Sequence, residues 1–447
     1  MTHDMQSGES DLGSLAVEAF FYGYPLVFNS SEVGRFAREG IGAVPATPYN
    51  QFGHADRLAG PETRFVSVNN DTVYSIANVD VSGGPVRLEV PDTRGRYYVL
   101  QFVDAWTNNF AYVGHRATGT EAGSFLLVAH AWEGEVSSGV RVIRFPTHIA
   151  TIVGRFAVNG ESDLPNVAEL QQRLTLTQTA PGHGVPDGDP SVPEDLSFFE
   201  QLRVWMAAFP PSERDQAYQR HFAPLGLLDA QSPYSDGDGE LTEVLRQALA
   251  SAKQRMEEVL RGDTSPTQNG WSLTYHVFDY NLDFFEVGAL DDDAWKLPDG
   301  PMRYAQRALA ARGGLWGNHG YEAAYAMVYL DVDGNRLDGA NRYELRFEHE
   351  PPVGAFWSVT MYDDADFFLV ANPIERYSIG DRTRGLRRDS DGGLTIVMQH
   401  DEPAEPERRA NWLPTPAGGF RPILRMYEPD TAVFDGRYEL PPIRKIT

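Results

Sequence analysis

Two segments constrain this chain more than any others. Val68-Asn69-Asn70-Asp71-Thr72-Val73-Tyr74-Ser75 lies in its first quarter, and Gly354-Ala355-Phe356-Trp357-Ser358-Val359-Thr360-Met361-Tyr362-Asp363 in its last. Each sets polar groups against apolar residues with a period of two, the spacing of a strand that shows different chemistry on its two faces. Two such segments, so far apart, predict two largely β units. In 447 residues there is room for two or three domains with proper cores.

The rest of the chain fills in that frame. Leu12, Leu15, Ala16, Ala19 and Phe20 recur at helical spacing behind a cap at Ser10 or Asp11, and Tyr22-Gly23-Tyr24-Pro25 predicts the end of that helix. Residues 29–64, rich in Gly, Pro and Ala, read as irregular. From Phe65 to Phe156 short strands follow one another, among them Val86, Leu88 and Val90 alternating with Arg87 and Glu89. A helical middle comes next. Ser212 and Asp215 look like a capping box, and Leu241, Val244, Leu245, Ala248, Leu249, Ala252, Met256, Val259 and Leu260 form a stripe that ends at a cap by Gly262. Strands return from Met327. The expected fold class is α+β, largely β: an N-terminal α+β domain containing a β-barrel or sandwich (1–175), a helical connection (176–265) and a C-terminal jelly-roll-like β-sandwich (266–447).

Charge and composition exclude several classes. The formal net charge is −25, a field that repels nucleic acid and anionic lipid. With no cysteine, thiolate nucleophiles, thiolate zinc sites and Cys-ligated iron–sulfur clusters are ruled out. The most apolar early run, Ala19 to Phe28, is too short to span a bilayer. The polar, acidic start lacks a signal-peptide pattern, so the expected location is cytoplasmic. No His-x-His, His-Glu-x-x-His or phosphate-binding loop occurs, and no metal ligand set or cofactor is assigned. Asp331 to Gly339 looks like a calcium loop, but Arg336 stands where the turn needs glycine; a polar hairpin turn is the simpler expectation.

The order of short motifs resembles a bacterial and fungal family of paired domains of unknown function, 1254 followed by 1214. The first is matched by Asn70-Asp71-Thr72-Val73-Tyr74-Ser75, Arg96-Tyr97-Tyr98, Thr107-Asn108 and Gly154-Arg155. The second is matched by Asn269-Gly270-Trp271, Glu322-Ala323-Ala324-Tyr325, the run from Phe356 to Asp363, Asn411-Trp412-Leu413-Pro414 and Arg425-Met426-Tyr427. The resemblance implies a fold and carries no established reaction. One stretch, Phe284 to Lys296, departs from the Gly/Tyr-rich pattern expected there.

The candidate chemistry lies in the first half. Asp71 and Asp104, if on neighbouring strands, form an acid/base pair, one of them with its pKa raised by burial or by its partner. His148 is the histidine best placed for proton transfer. Asn70, Tyr74 and Asn108 would orient a substrate, Trp106 would stack on it, and Arg155 would hold an anionic group. The structural alternative has the same Asn and Asp side chains bonding turn backbone. Trp357, Tyr362, Asn372, Tyr377, Asn411 and Trp412 would line the mouth of a jelly roll. The expected function is an enzyme, a hydrolase or lyase acting on a small polar organic molecule by carboxylate acid/base chemistry. The alternative is a non-catalytic jelly-roll protein that binds carbohydrate or another small ligand. A homo-oligomer is compatible with either.

Overall fold

The computed structural model describes residues 12–262 and 266–446. Its first helix, α1 (Leu12–Glu39), runs straight through Pro25, where the sequence predicts a stop. Proline removes a backbone donor and costs about 3 kcal/mol in a helix interior. Packing outweighs that cost, because Ala16, Ala19, Phe20, Leu26 and Phe36 are all fully buried. Gly23 admits Leu202 so closely that a Cβ there would lie 2.4 Å from it. Residues 29–39 are therefore helical rather than irregular. Ser10 and Asp11, the predicted cap, fall outside the described residues.

The first domain then alternates short strands and turns: β1 (Gly53–His54), β2 (Thr72–Asp80), β3 (Val86–Val90), β4 (Tyr98–Asp104), β5 (Asn109–Gly114), helix α2 (His115–Thr118), β6 (Gly123–Ala129), β7 (Arg141–Phe145), β8 (Ile149–Ala157), α3 (Leu164–Gln172) and β9 (Thr175–Gln178). They build two open sheets, ordered β1-β2-β8-β4-β5 and β7-β6-β3-β9. Leu88, Leu100, Phe102, Phe125, Ile143 and Ile152 fill a shared core. Because β9 pairs with β3, the domain extends through Gln178, three residues past the expected boundary. The inner strands β4 and β8 are buried at every residue, which is why they read as nearly continuous apolar runs.

A helical layer covers the end of this domain. It consists of α4 (Ser197–Ala208), α5 (Glu213–Gln219) and α6 (Glu240–Gly262), gathered round α1. Of the expected stripe of α6, Leu245, Ala248, Leu249, Ala252 and Met256 are buried, Leu241, Val244 and Leu260 are half-buried, and Val259 near its end is exposed. The capping box is not formed: Ser212 makes no side-chain cap bond. Asp215 instead accepts from Arg303 Nη2 (2.6 Å) and Tyr304 Oη (2.8 Å), a charged network that offsets its burial.

The second domain contains β10 (Thr267–Gln268), β11 (Trp271–Leu273), helix α7 (Pro301–Gly314), β12 (Ala323–Val328), β13 (Arg342–Phe347), β14 (Val353–Asp363), β15 (Ser378–Gly380), β16 (Leu394–Gln399), α8 (Pro406–Ala410), β17 (Trp412–Pro414), β18 (Phe420–Pro429) and β19 (Ile443–Ile446). Its sheets run β10-β11-β12-β18-β14-β15 and β17-β16-β13-β19. Trp271, Leu345, Trp357, Ile396, Leu424 and Met426 pack in one core. The whole is an α+β molecule of four sheets, none of which closes into a barrel among the described residues. The calcium-like loop is a turn: Asp331 Oδ1 accepts from the backbone N–H groups of Asp333 (3.0 Å) and Asn335 (2.9 Å).

The stretch from Phe284 to Lys296 belongs to both domains. Glu286 donates its N–H to Phe110 O, and Tyr112 donates to Val287 O, both at 2.8 Å. These bonds cover the free edge of β5, an edge that would otherwise invite pairing with another chain.

Candidate functional site

Where the domains meet, strand alternation builds a cavity of about 900 Å³. On β18 the odd-numbered residues Arg421, Ile423, Arg425 and Tyr427 line it, while Leu424 and Met426 turn into the second domain's core. On β12, Tyr325 and Met327 do the same, with Tyr325 opposite Arg425 in the register. The first domain contributes Tyr74 and Ile76 of β2 with Val153 and Arg155 of β8, and Tyr74 stands opposite Arg155. Phe65, Phe278, Leu315 and Trp316 supply apolar wall.

The polar floor is held rigidly. Arg155 donates to Gln101 Oε1 (2.7 Å) and Trp316 O (2.8 Å), with its guanidinium 5.5 Å from the Tyr74 ring. Burial opposes its charge, but Tyr74, Tyr325 and Tyr427 favour it, and the balance leaves its pKa above the ordinary value. Arg425 donates to Thr360 Oγ1 (3.0 Å) and Ser67 O (2.6 Å). Arg421 donates to Tyr329 Oη (3.0 Å) and Ser67 Oγ (2.5 Å) and stacks 3.8 Å from the Phe367 ring centre. Burial first, and the charge of Asp71 second, push the Tyr427 phenol well above its ordinary pKa, so it keeps its proton. At the wall, His276 Nδ1 lies 2.7 Å from Oδ2 of the fully buried Asp279, a carboxylate that orients the ring.

Three lining residues other than glycine adopt left-handed backbone: Ser67 (φ 54°), Trp316 (φ 64°) and Phe367 (φ 64°). Such residues cost about 1–3 kcal/mol each and persist only where surrounding contacts fix them. Here the contacts are visible. Ser67 N bonds Phe367 O (3.0 Å), and Trp316 Nε1 bonds Asn29 Oδ1 (2.8 Å).

The residues expected to form the site divide into three groups. Tyr74 and Arg155 line the cavity. Asn70 and Asp71 stand beside it at the domain contact: Asn70 Nδ2 donates to Ala59 O (2.6 Å), and Asp71 Oδ2 accepts from Ser358 Oγ (2.6 Å). The remaining four lie at the other end of the sheet. Asp104 pairs with Ala150, as does Val79, so it sits level with position 79 rather than with Asp71. Eight residues of strand separate the two carboxylates, roughly 26 Å at the usual rise. The expected acid/base pair is not assembled.

Asp104 is sealed, accepting from Asn108 N and Asn108 Nδ2, both at 2.8 Å. Burial pushes its pKa up to about 6 against the pull of Arg307 and Asn108. Asn108 is thus the structural partner of Asp104, not a substrate ligand. Trp106 is a core residue whose Nε1 bonds Phe209 O (2.7 Å). His148, its pKa lowered by burial, packs against the Phe209 ring at 4.9 Å, away from the cavity. In the second domain, Trp357 and Trp412 are buried, and Asn411 bonds the backbone of Arg387 and Thr395; they hold the sandwich together and line no mouth.

Sequence reasoning missed Arg421, Arg425, Tyr427, Tyr325 and His276. The signal existed: Arg421-x-Ile423-x-Arg425-x-Tyr427 is a strand with one chemically loaded face.

Comparison with known proteins agrees with this architecture. Residues 49–178 match a family model described as a protein of unknown function (DUF1254), and residues 322–431 match one described as a protein of unknown function (DUF1214). The chain carries this pair of domains, the first N-terminal and the second C-terminal. The crystal structure of the VPA0106 protein from Vibrio parahaemolyticus is similar to it, with TM-score 0.70 and 24% identity over 98% of this chain and 100% of that one. A putative uncharacterized protein from Burkholderia cenocepacia aligns with TM-score 0.46 and 13% identity over 99% of this chain and 91% of that one. No curated protein matches.

Proposed function

We propose that the protein is an enzyme, a lyase or hydrolase, that acts on a small organic molecule in the interdomain cavity. One observation carries the reading: phenols and guanidinium groups from both domains converge on a space with apolar walls, the composition expected of a ligand site. The chemistry does not depend on the carboxylate pair anticipated from the sequence. Tyr427, kept protonated, donates a hydrogen bond to the substrate oxygen on which negative charge develops. His276, oriented by Asp279, is the proton acceptor on the same cavity. Arg155 and Arg425 stabilise negative charge that develops on a substrate oxygen. Asp71 acts indirectly, through the field it exerts on Tyr427.

A binding protein without chemistry is the second reading, favoured by the large apolar share of the walls. The two separate on Tyr427→Phe. Once a turned-over compound is found by incubating the protein with a small-molecule library and following products by mass spectrometry, this variant should lower kcat at least about a hundredfold while leaving KM nearly unchanged. Compounds that stabilise wild type and variant equally and are recovered intact would instead establish binding alone.

A further inference from the structure

Five arginines are buried among the described residues: Arg155, Arg303, Arg307, Arg421 and Arg425. Two of them share a carboxylate, since Arg303 and Arg307 both lie within 4 Å of Asp215. Among the half-buried arginines, Arg116 pairs with Glu322 and Arg96 with Asp163, while Arg382 at the domain contact donates to the backbone carbonyls of Val158 and Asp71. Among the described residues Arg155, Arg421 and Arg425 have no carboxylate within ion-pair reach, and all three line one cavity. Uncompensated buried charge is costly and is rarely left in place. That it persists in a chain of net charge −25 makes the local surplus more telling.

The polar groups around the three cations are neutral ones: Gln101, Thr360, Tyr329, Ser67 and backbone carbonyls. Arg421 Nε, buried, finds no hydrogen-bond partner among the described residues. The carboxylates on the lining are otherwise engaged or peripheral. Glu257 pairs with Arg312, Asp366 is exposed and Asp364 partly so. Asp71, whose charge reaches Arg425, has committed Oδ2 to Ser358.

Resting on the reading of this cavity as the ligand site, we propose that its ligand is an organic anion, a carboxylate on an apolar or aromatic body, whose charged group is received by Arg155 and Arg425 with Arg421 at the same wall. Guanidinium groups bind carboxylates through paired, charge-assisted hydrogen bonds. Ile76, Phe278, Leu315 and Met327 offer the body an apolar surround. The ligand thereby supplies the counter-charge that the protein withholds.

Three probes of one size decide the matter by calorimetric titration of the full chain: phenylacetate, phenethyl alcohol and phenethylamine. Phenylacetate is expected to bind at least about tenfold more tightly than the alcohol, with the amine weakest. The preference should disappear in Arg425→Gln and Arg155→Gln, each checked for a wild-type circular dichroism spectrum. Equal or tighter binding of the alcohol or the amine to wild type would overturn the anion assignment while leaving the cavity reading intact. Failure of all three to bind wild type would overturn the cavity reading itself. The wild-type comparison needs no variant, so a variant that does not fold leaves the decision standing.

Discussion

At the scale of single residues, Asp104 shows how a polar side chain among strands can be a cost rather than a tool. Its carboxyl has a folded pKa of about 6 against an ordinary 3.8. Between those values the folded protein holds a proton that the unfolded chain has released. Stability from this group therefore rises as pH falls from 6 to 4, and near pH 7 the buried carboxylate costs up to about 3 kcal/mol, roughly two pK units. Asp104→Asn should remove that dependence, stabilising the fold at pH 7 and doing nothing for it at pH 4. Urea denaturation at the two pH values measures the difference. A variant that loses stability equally at both would show that the carboxylate is held by its partners and not penalised by burial. The misreading has a physical cause: Asp104 and Asn108 look like a site in sequence, but their partners are each other and Arg307, from a helix far along the chain.

At the scale of elements, the strands and long helices were legible because their burial is periodic. Val86, Leu88 and Val90 point inward as their alternation predicts, and α6 buries the middle of the stripe read from its sequence while leaving Val259 exposed. Pro25 was misread because the packing that outweighs its cost comes from elements far along the chain, among them α4, whose Leu202 meets Gly23. Gly23→Ala tests this directly. Alanine favours a helix by about 1 kcal/mol over glycine, yet its Cβ would meet Leu202 at 2.4 Å. Overpacking of this kind costs about 1–3 kcal/mol, so the clash should win and the variant should lose stability by chemical denaturation. A gain would mean that α1 and α4 have room between them. The cavity face of β18 was hidden for a related reason. Arg421, Arg425 and Tyr427 are as buried as the core residues between them, and only the fold reveals that their face meets another domain across a space.

At the scale of the molecule, the two domains are joined by buried polar bonds as well as by apolar contact. Tyr97 Oη (3.1 Å) and Arg116 Nε (2.6 Å) of the first both donate to Glu322 of the second, and Tyr362 Oη reaches back to Val68 O (2.5 Å). Arg116→Met strands Glu322 in the interior, a loss of about 3–5 kcal/mol, and Glu322→Gln in the same chain should return part of it. A double-mutant cycle by denaturation reads that coupling, and additive losses would deny it. The same junction sets the three unpaired arginines around one space, and on that arrangement the functional reading depends. A crystal structure of the protein soaked with phenylacetate tests it most directly. Density for the carboxylate within hydrogen-bond distance of Arg155 and Arg425, with the ring against Phe278 and Leu315, is the expected result; an ordered ligand elsewhere, with the cavity filled only by water, would contradict it.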